Sequence, residues 1–329
     1  NLQARINSFI SLGNILAAAT APSLSDAKEN ATIQNPWFIP EFIEKSIEQI
    51  TQQFLQPSAL GAWTGLYPNI KDAPSGKKVG IIMAGNIPLV GFHDLLSTLL
   101  AGHHAMVKLS SKDSVLMTWV INTLIQIDPL WKNHITIQEQ LKGCDAYIAT
   151  GSNNTGQYFE TYFGKFPHII RKNKTSIAIL DGTESKEELD ALSNDMLLYY
   201  GMGCRNVNQI WVPENYDFIP LLASLKRFDF IMDNHRYKNN YDYQLALLMM
   251  NNQQYMSSGS VLLSENSSPF AAISQIHYQT YPNQKLPTLV LDEIQCVVGH
   301  NYLPFGSLQC PSLDQYADGV DTLQFLSNL

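Results

Sequence analysis

The chain has 329 residues, 45% of them hydrophobic and 15% charged, with a formal net charge of −8. That length predicts two domains, or one large α/β body with an appendage, and the apolar share is enough for sizeable cores. The acidic balance argues against nucleic acid as the main partner. Four cysteines (Cys144, Cys204, Cys296, Cys310) stand far apart with no CxxC pair. They read as reduced thiols of a cytoplasmic protein rather than a disulfide framework.

In chain order, residues 1–20 carry Leu2, Ile6, Phe9, Ile10 and Ile15 at helical spacing broken by polar residues. This reads as an amphipathic helix and not a signal peptide, and no apolar run approaches the length of a membrane span. A second amphipathic helix covers 42–55, with Ile43, Ile47, Ile50 and Phe54 on one face. Residues 60–77, rich in Gly and Pro, read as a connector or short hairpin. The rhythm then changes to strand 79–83, helix 89–101, strand 105–109, helix 114–127, strands 135–137 and 146–149, and a helix from 155 to 163. Such alternation predicts a parallel sheet covered on both faces, with ligands at the carboxyl ends of its strands. A second α/β body follows: strand 176–180, helix 186–200, strand 209–212, helices 216–227 and 243–250, and strands near 261–263, 288–291 and 295–298. The tail closes with a short helix and a strand.

Three loops carry candidate chemistry. Cys204 sits in Tyr-Tyr-Gly-Met-Gly-Cys-Arg-Asn, between a helix and a strand. A Gly-containing turn can present a sulfur to a cleft beside backbone N–H groups, as a covalent nucleophile requires; the bland alternative is a small buried hydrophobe. The run Ala84-Gly85-Asn86-Ile87-Pro88 follows a strand, which places the Asn86 amide where it can donate to an oxyanion, or merely cap the next helix. Gly151-Ser152-Asn153-Asn154-Thr155-Gly156 is a second strand-to-helix loop, with small residues and a helix N-terminus that suit a phosphate. It is not a GxGxxG fingerprint. Lys108 closes a strand and is followed by Ser110, Ser111 and Lys112; it suits ribose hydroxyls or a phosphate, or is a solvated strand end.

The order of these parts resembles the aldehyde dehydrogenase superfamily, and within it the LuxC-like fatty acyl-CoA reductases. The resemblance runs from about 79 to the end and includes Pro304-Phe305-Gly306 and Tyr316-Ala317-Asp318-Gly319-Val320-Asp321. It implies a Rossmann-type nicotinamide domain over 1–175, including the N-terminal helices, a catalytic α/β domain over 176–303, and a tail, 304–329, that serves oligomerisation. By the same resemblance Cys204 takes the acyl group as a thioester, and Asn86 and the Cys204 N–H form the oxyanion hole. Lys108 then meets the adenine-side ribose, and Gly151, Ser152 and Gly156 lie beside the pyrophosphate. The implied partners are an acyl-CoA or other acyl thioester, an acyl-donating enzyme, and a second copy of the chain.

Two departures from the superfamily shape the expected reaction. Oxidising members carry a glutamate and a Leu-Gly-Gly run where this chain has Ile170-Arg171-Lys172-Asn173-Lys174-Thr175. Without that base, hydrolysis of the thioester is slow while a thiol can still exchange at Cys204. The acidic residue that often follows the lysine by three positions is Ser111, with Lys112 beside it, which favours NADPH over NADH. The expectation is NADPH-dependent reduction of a fatty acyl thioester to an aldehyde, with aldehyde oxidation or a non-catalytic nucleotide-binding scaffold as competing readings. No metal is expected: His103 and His104 are adjacent, His93 reads as packing, and no Glu/Asp/His cluster shows metal spacing along the chain.

Overall fold

The computed structural model describes residues 1–18, 22–70, 76–151, 153–282 and 291–329. It divides into two compact units, Asn1–Asn173 with Pro311–Leu329, and Lys174–Cys310. The segment 304–329, read from the sequence as one tail, is thus split between them. Among the described residues no helix is long and apolar enough to cross a membrane.

The first unit opens with α1 (Leu2–Ala17), α2 (Pro22–Gln34), α3 (Pro40–Gln49, continued by a π-turn over Ile50–Phe54) and α4 (Pro57–Gly65). Pro40 and Pro57 start α3 and α4, where a missing N–H costs nothing. The connector expected from residue 60 is therefore helical as far as Gly65, because Leu60 and Trp63 bury one face. Helix α2 went unseen in the sequence; its weak apolar stripe consists of Leu24, Ala27 and Ala31.

Alternation then begins with β1 (Lys78–Ile82), α5 (Phe92–Leu100), β2 (His104–Lys108), α6 (Ser114–Ile127), β3 (Ile135–Ile137), β4 (Ala146–Thr150), α7 (Asn153–Phe163) and β5 (His168–Arg171). All pairings are parallel, in the order β3-β2-β1-β4-β5. The order reverses between β1 and β4, which makes the crevice at their carboxyl ends the ligand-binding position for such a sheet.

The second unit contains β6 (Thr175–Ile179), α8 (Lys186–Leu197), β7 (Val207–Pro213), α9 (Ile219–Leu225), α10 (His235–Met250), β8 (Tyr255–Ser257), β9 (Leu262–Glu265), β10 (Gln275–Tyr281) and β11 (Ile294–Val298). Its sheet runs β11-β6-β7-β10-β9-β8, and only the β8–β9 pairing is antiparallel. The strand expected at 288–291 falls mostly outside the described residues, and Leu291 begins a 3-10 turn.

The chain ends in a 3-10 turn over Ala317–Gly319 and helix α11 (Thr322–Ser327); the strand expected in the tail is absent among the described residues. Asp318 and Gly319 are left-handed, which interrupts any extended run. The turn is anchored in the first unit. Trp63 Nε1 donates to the Tyr316 hydroxyl at 2.8 Å, and the Tyr67 hydroxyl donates to Asp321 Oδ2 at 2.8 Å. The His93 ring packs on Phe54, Trp63 and Tyr316, and its Nε2 donates to the Leu313 carbonyl, so His93 is a packing residue.

Candidate active site

Beyond β1 the chain turns through Ala84–Val90 before α5 begins. Gly85 is required by close approach: a Cβ there would lie 2.4 Å from Ser110 Oγ in the β2–α6 loop. Leu89 is buried and left-handed at φ 59°, a conformation that costs a branched residue on the order of 1 kcal/mol. Two side chains hold the turn. The Leu89 N–H donates to Asp113 Oδ2 at 2.7 Å, and Ser46 Oγ donates to the Pro88 carbonyl at 2.6 Å. The left-handed residue delays α5, whose N-cap is Gly91 rather than a residue near 89. Asn86, half-buried, therefore lies well ahead of the helix cap.

Lys108 is exposed at the end of β2, and Ser111 and Lys112 are exposed in the loop that follows. That loop is braced from behind, since Gln34 Nε2 donates to the Ser111 carbonyl at 3.2 Å and Asn35 Nδ2 to the Lys112 carbonyl at 3.0 Å. The loop ends in Asp113, whose carboxyl is pushed well above the usual range by burial and only partly drawn back by the Leu89 N–H. Its Oδ1 is buried without a hydrogen-bond partner. Gly151 follows β4 and donates its N–H to the Arg171 carbonyl at 3.3 Å. Ser152 lies outside the described residues. Gly156 falls inside α7, buried against Ile170 and Lys172, where an added Cβ would meet nothing nearer than 3.7 Å. Lys108 thus closes β2, and Asn86, Ser111 and Gly151 lie just beyond the carboxyl ends of β1, β2 and β4.

Arg171, in the stretch that lacks the oxidising members' glutamate, is committed to structure. Its guanidinium donates to Asp94 Oδ2 at 2.5 Å, to Thr322 Oγ1 at 2.9 Å and to Thr150 Oγ1 at 3.4 Å. One buried side chain so joins α5, the end of β4 and the C-terminal helix α11.

Cys204 belongs to the second unit. Helix α8 stops at Leu197, three residues short of the expected Tyr200, because Tyr199, Tyr200 and Gly201 are all left-handed at φ 56°, 58° and 72°. Successive left-handed residues other than glycine are uncommon and strained, and persist only where the surroundings over-determine them. Asn206 supplies that constraint. Fully buried, its amide donates to the carbonyls of Leu198 (2.9 Å) and Asp195 (3.0 Å), satisfying groups a helix end leaves orphaned, while its Oδ1 accepts the Gly203 N–H at 2.8 Å. Ser176 Oγ on β6 donates to the Cys204 carbonyl at 3.1 Å. The resulting turn carries a partly exposed cysteine at the amino end of β7. Neither Asn206 nor Asp113 stood out in the sequence; the signal for Asn206 was its place two residues after Cys204, next to the helix end it caps.

Of the other thiols, Cys144 is buried and Cys310 exposed. Cys296 accepts from Arg205 Nη1 at 3.5 Å, and burial pushes its thiol up. Asp195 anchors Pro304-Phe305-Gly306: its carboxylate accepts the N–H groups of Gly306 (2.6 Å) and Leu308 (3.0 Å). Gly306 is left-handed, and its added Cβ would come 2.9 Å from Ala191 Cβ on α8. The fold gathers Asp181, Glu184 and His300 with ligand-type atoms within 4.8 Å of one another, a grouping that spacing along the chain does not show. Asp181 and Glu184 share one loop, but His300 is distant in sequence, so no local motif shows the group. These groups bond among themselves, His300 donating to Asp181 at 2.8 Å and meeting Glu188 at 3.1 Å, while Glu184 accepts the Asp181 N–H at 2.6 Å.

Comparison with known proteins agrees with this architecture. The family model described as acyl-CoA reductase (LuxC) matches residues 28–219, more than half of the chain. A curated relative, long-chain acyl-protein thioester reductase 2 of Photobacterium leiognathi, is 24% identical over 218 residues, which take in 60% of this chain and 45% of that protein. Among solved structures, an indole-3-acetaldehyde dehydrogenase in complex with NAD+ superposes with a TM-score of 0.64 at 12% identity, covering 86% of this chain and 68% of its own. An aldehyde dehydrogenase of Mycobacterium tuberculosis complexed with NAD+ gives 0.63 at 14% identity, with 86% and 69% covered. The fold is that of the aldehyde dehydrogenases.

Proposed function

The chain belongs to the acyl-CoA reductase (LuxC) family, and from that premise we propose that it reduces a fatty acyl thioester to the aldehyde with NADPH, through an acyl group carried on Cys204. The observation that carries the reading is the Cys204 turn. Three left-handed residues and the Asn206 bonds build it around a partly exposed thiol, an expense that a cysteine serving only as filler would not need.

The groups beyond the first sheet suit a dinucleotide. Lys108, Ser111 and Lys112 are exposed cations and hydroxyls fit for ribose and phosphate oxygens, and α7 starts just past Gly151, a helix N-terminus of the kind that suits a pyrophosphate. NADPH, when bound, supplies the hydride. The protein does the rest. The Cys204 thiolate adds to the acyl carbonyl carbon, and the bond from that carbon to the donor thiol breaks, the thiol leaving with the electron pair. Asn86 and the Cys204 N–H hold the charge on oxygen in this tetrahedral state and again after reduction. Cleavage of the second carbon–sulfur bond returns the Cys204 thiolate and frees the aldehyde. With Arg171 committed to Asp94 and no carboxylate between Ile170 and Thr175, nothing in that stretch activates water, so the thioester survives to be reduced.

The acyl donor is coenzyme A, a carrier protein or a partner enzyme; the curated relative's name points to an acyl-protein. The working form is a homo-oligomer, with a dimer favoured. The test is NADPH oxidation and aldehyde release over a panel of thioesters of graded chain length, with intact mass before and after. Wild type should gain one acyl group and Cys204→Ala none. Acyl label on Cys144, Cys296 or Cys310, or reduction by Cys204→Ala, would defeat the proposal. NADPH formation from an aldehyde without any thiol would mark an aldehyde oxidiser instead.

A further inference from the structure

We propose that Asp113 is a positioning residue for the Asn86 turn: by holding Leu89 left-handed it ties Asn86 to the loop that carries Ser111. The inference rests on the reading of Asn86 as an oxyanion donor. Leu89, at φ 59° and buried, has little reason to leave the right-handed region unless its N–H finds a partner there. Asp113 Oδ2, at 2.7 Å, is that partner. The turn is gripped at two further points, by Ser46 Oγ on the Pro88 carbonyl at 2.6 Å and by Gly85, which has no room for a Cβ against Ser110.

Ser110 and Asp113 bracket Ser111 and Lys112, so both ends of the loop touch the Asn86 turn. A displacement at Ser111 is felt at Asn86 through Gly85 on one side and Leu89 on the other. Without Asp113, the Leu89 N–H becomes a buried donor with no acceptor, and the turn relaxes toward an earlier start of α5, carrying the Asn86 amide with it. A neutral carboxamide can accept the same N–H, so Asp113→Asn should preserve the arrangement, whereas leucine, of similar size, cannot.

The experiment compares turnover number and cofactor dissociation constant for wild type, Asp113→Asn, Asp113→Leu, Asn86→Ala and Asn86→Ala/Asp113→Leu. Asp113→Leu should lower kcat about tenfold, the rate equivalent of one buried hydrogen bond, with cofactor affinity little changed. Asp113→Asn should stay near wild type. In the Asn86→Ala background Asp113→Leu should cost nothing further. Full kcat in Asp113→Leu, or the same loss in both backgrounds, overturns the proposal while leaving the oxyanion reading intact. Near-normal turnover of Asn86→Ala overturns the oxyanion reading and the proposal with it. Should Asp113→Leu fail to fold, Ser46→Ala releases the turn from its other side. A loss of kcat that vanishes in the Asn86→Ala background then supports the clamp, and unchanged kcat refutes it.

Discussion

The side-chain amide of Asn206 donates to the carbonyl of Leu198 at 2.9 Å, tying the residue that leads into β7 to the helix end that precedes Cys204. Asn206→Leu breaks this bond together with those to Asp195 and Gly203, and leaves their groups buried. The loss should be about 3 kcal/mol or more. Asn206→Asp keeps an acceptor for Gly203 but turns a carboxylate oxygen toward two carbonyls, and should be at least as damaging. Thermal unfolding measures the first effect, and the rate of acyl labelling at Cys204 measures the second. Labelling at the wild-type rate in either variant would show that the turn holds Cys204 without Asn206.

Arg171 and Asp94 form a buried pair, so removing one partner strands the other. Arg171→Met should cost about 3–5 kcal/mol, and Asp94→Leu/Arg171→Met should recover much of it, because an apolar pair pays no desolvation. Chemical denaturation of the two variants decides the matter. A double variant no more stable than Arg171→Met would place the value of Arg171 in its Thr150 and Thr322 bonds instead.

Asp195 gives the second unit a pH dependence of unusual sign. Burial pushes its carboxyl up to about 7, against the pull of the Gly306 and Leu308 N–H groups. The folded state therefore holds this proton more tightly than the unfolded chain. The associated stability is complete below the ordinary carboxylate range near 4 and is lost as pH rises through about 7, with a slope of at most about 1.4 kcal/mol per pH unit. The melting temperature should fall between pH 5 and pH 8 more steeply for wild type than for Asp195→Asn. Parallel curves would count against this assignment.

Ser111 stands exposed in the loop after β2, and on the function proposed above a carboxylate placed there would face the 2′ position of the cofactor ribose. If NADPH is preferred, Ser111→Glu should weaken NADPH by roughly ten- to a hundredfold and NADH much less, the effect of one charge-assisted contact. Fluorescence titration with both cofactors is the measurement. Equal weakening of the two, or wild-type binding of NADH as tight as NADPH, would remove Ser111 from the specificity site.

What the sequence by itself determined is local in origin. Alternating periodicity over 79–163 revealed four of the first sheet's five strands, all but β5, and helix α6 matches its expected span of 114–127, because amphipathic period and a terminal proline are written in neighbouring residues. The turns that carry Asn86 and Cys204 were legible for the same reason, through Gly85, Pro88, Gly201 and Gly203. Tertiary structure decided the rest. β10, with Gln275, His277, Gln279 and Thr280 along it, was not among the expected strands and lies hydrogen-bonded between β7 and β9. Helix α8 ends early because Tyr200 finds the side chain of Asn234 at 2.9 Å and Asn206 claims the carbonyls of its last turn. The return of Tyr316 to Trp63, and the grip of Asp113 on Leu89, join residues whose partners lie well beyond the reach of any local period. Their energy comes from desolvated hydrogen bonds between distant segments, and those exist only after the chain has folded.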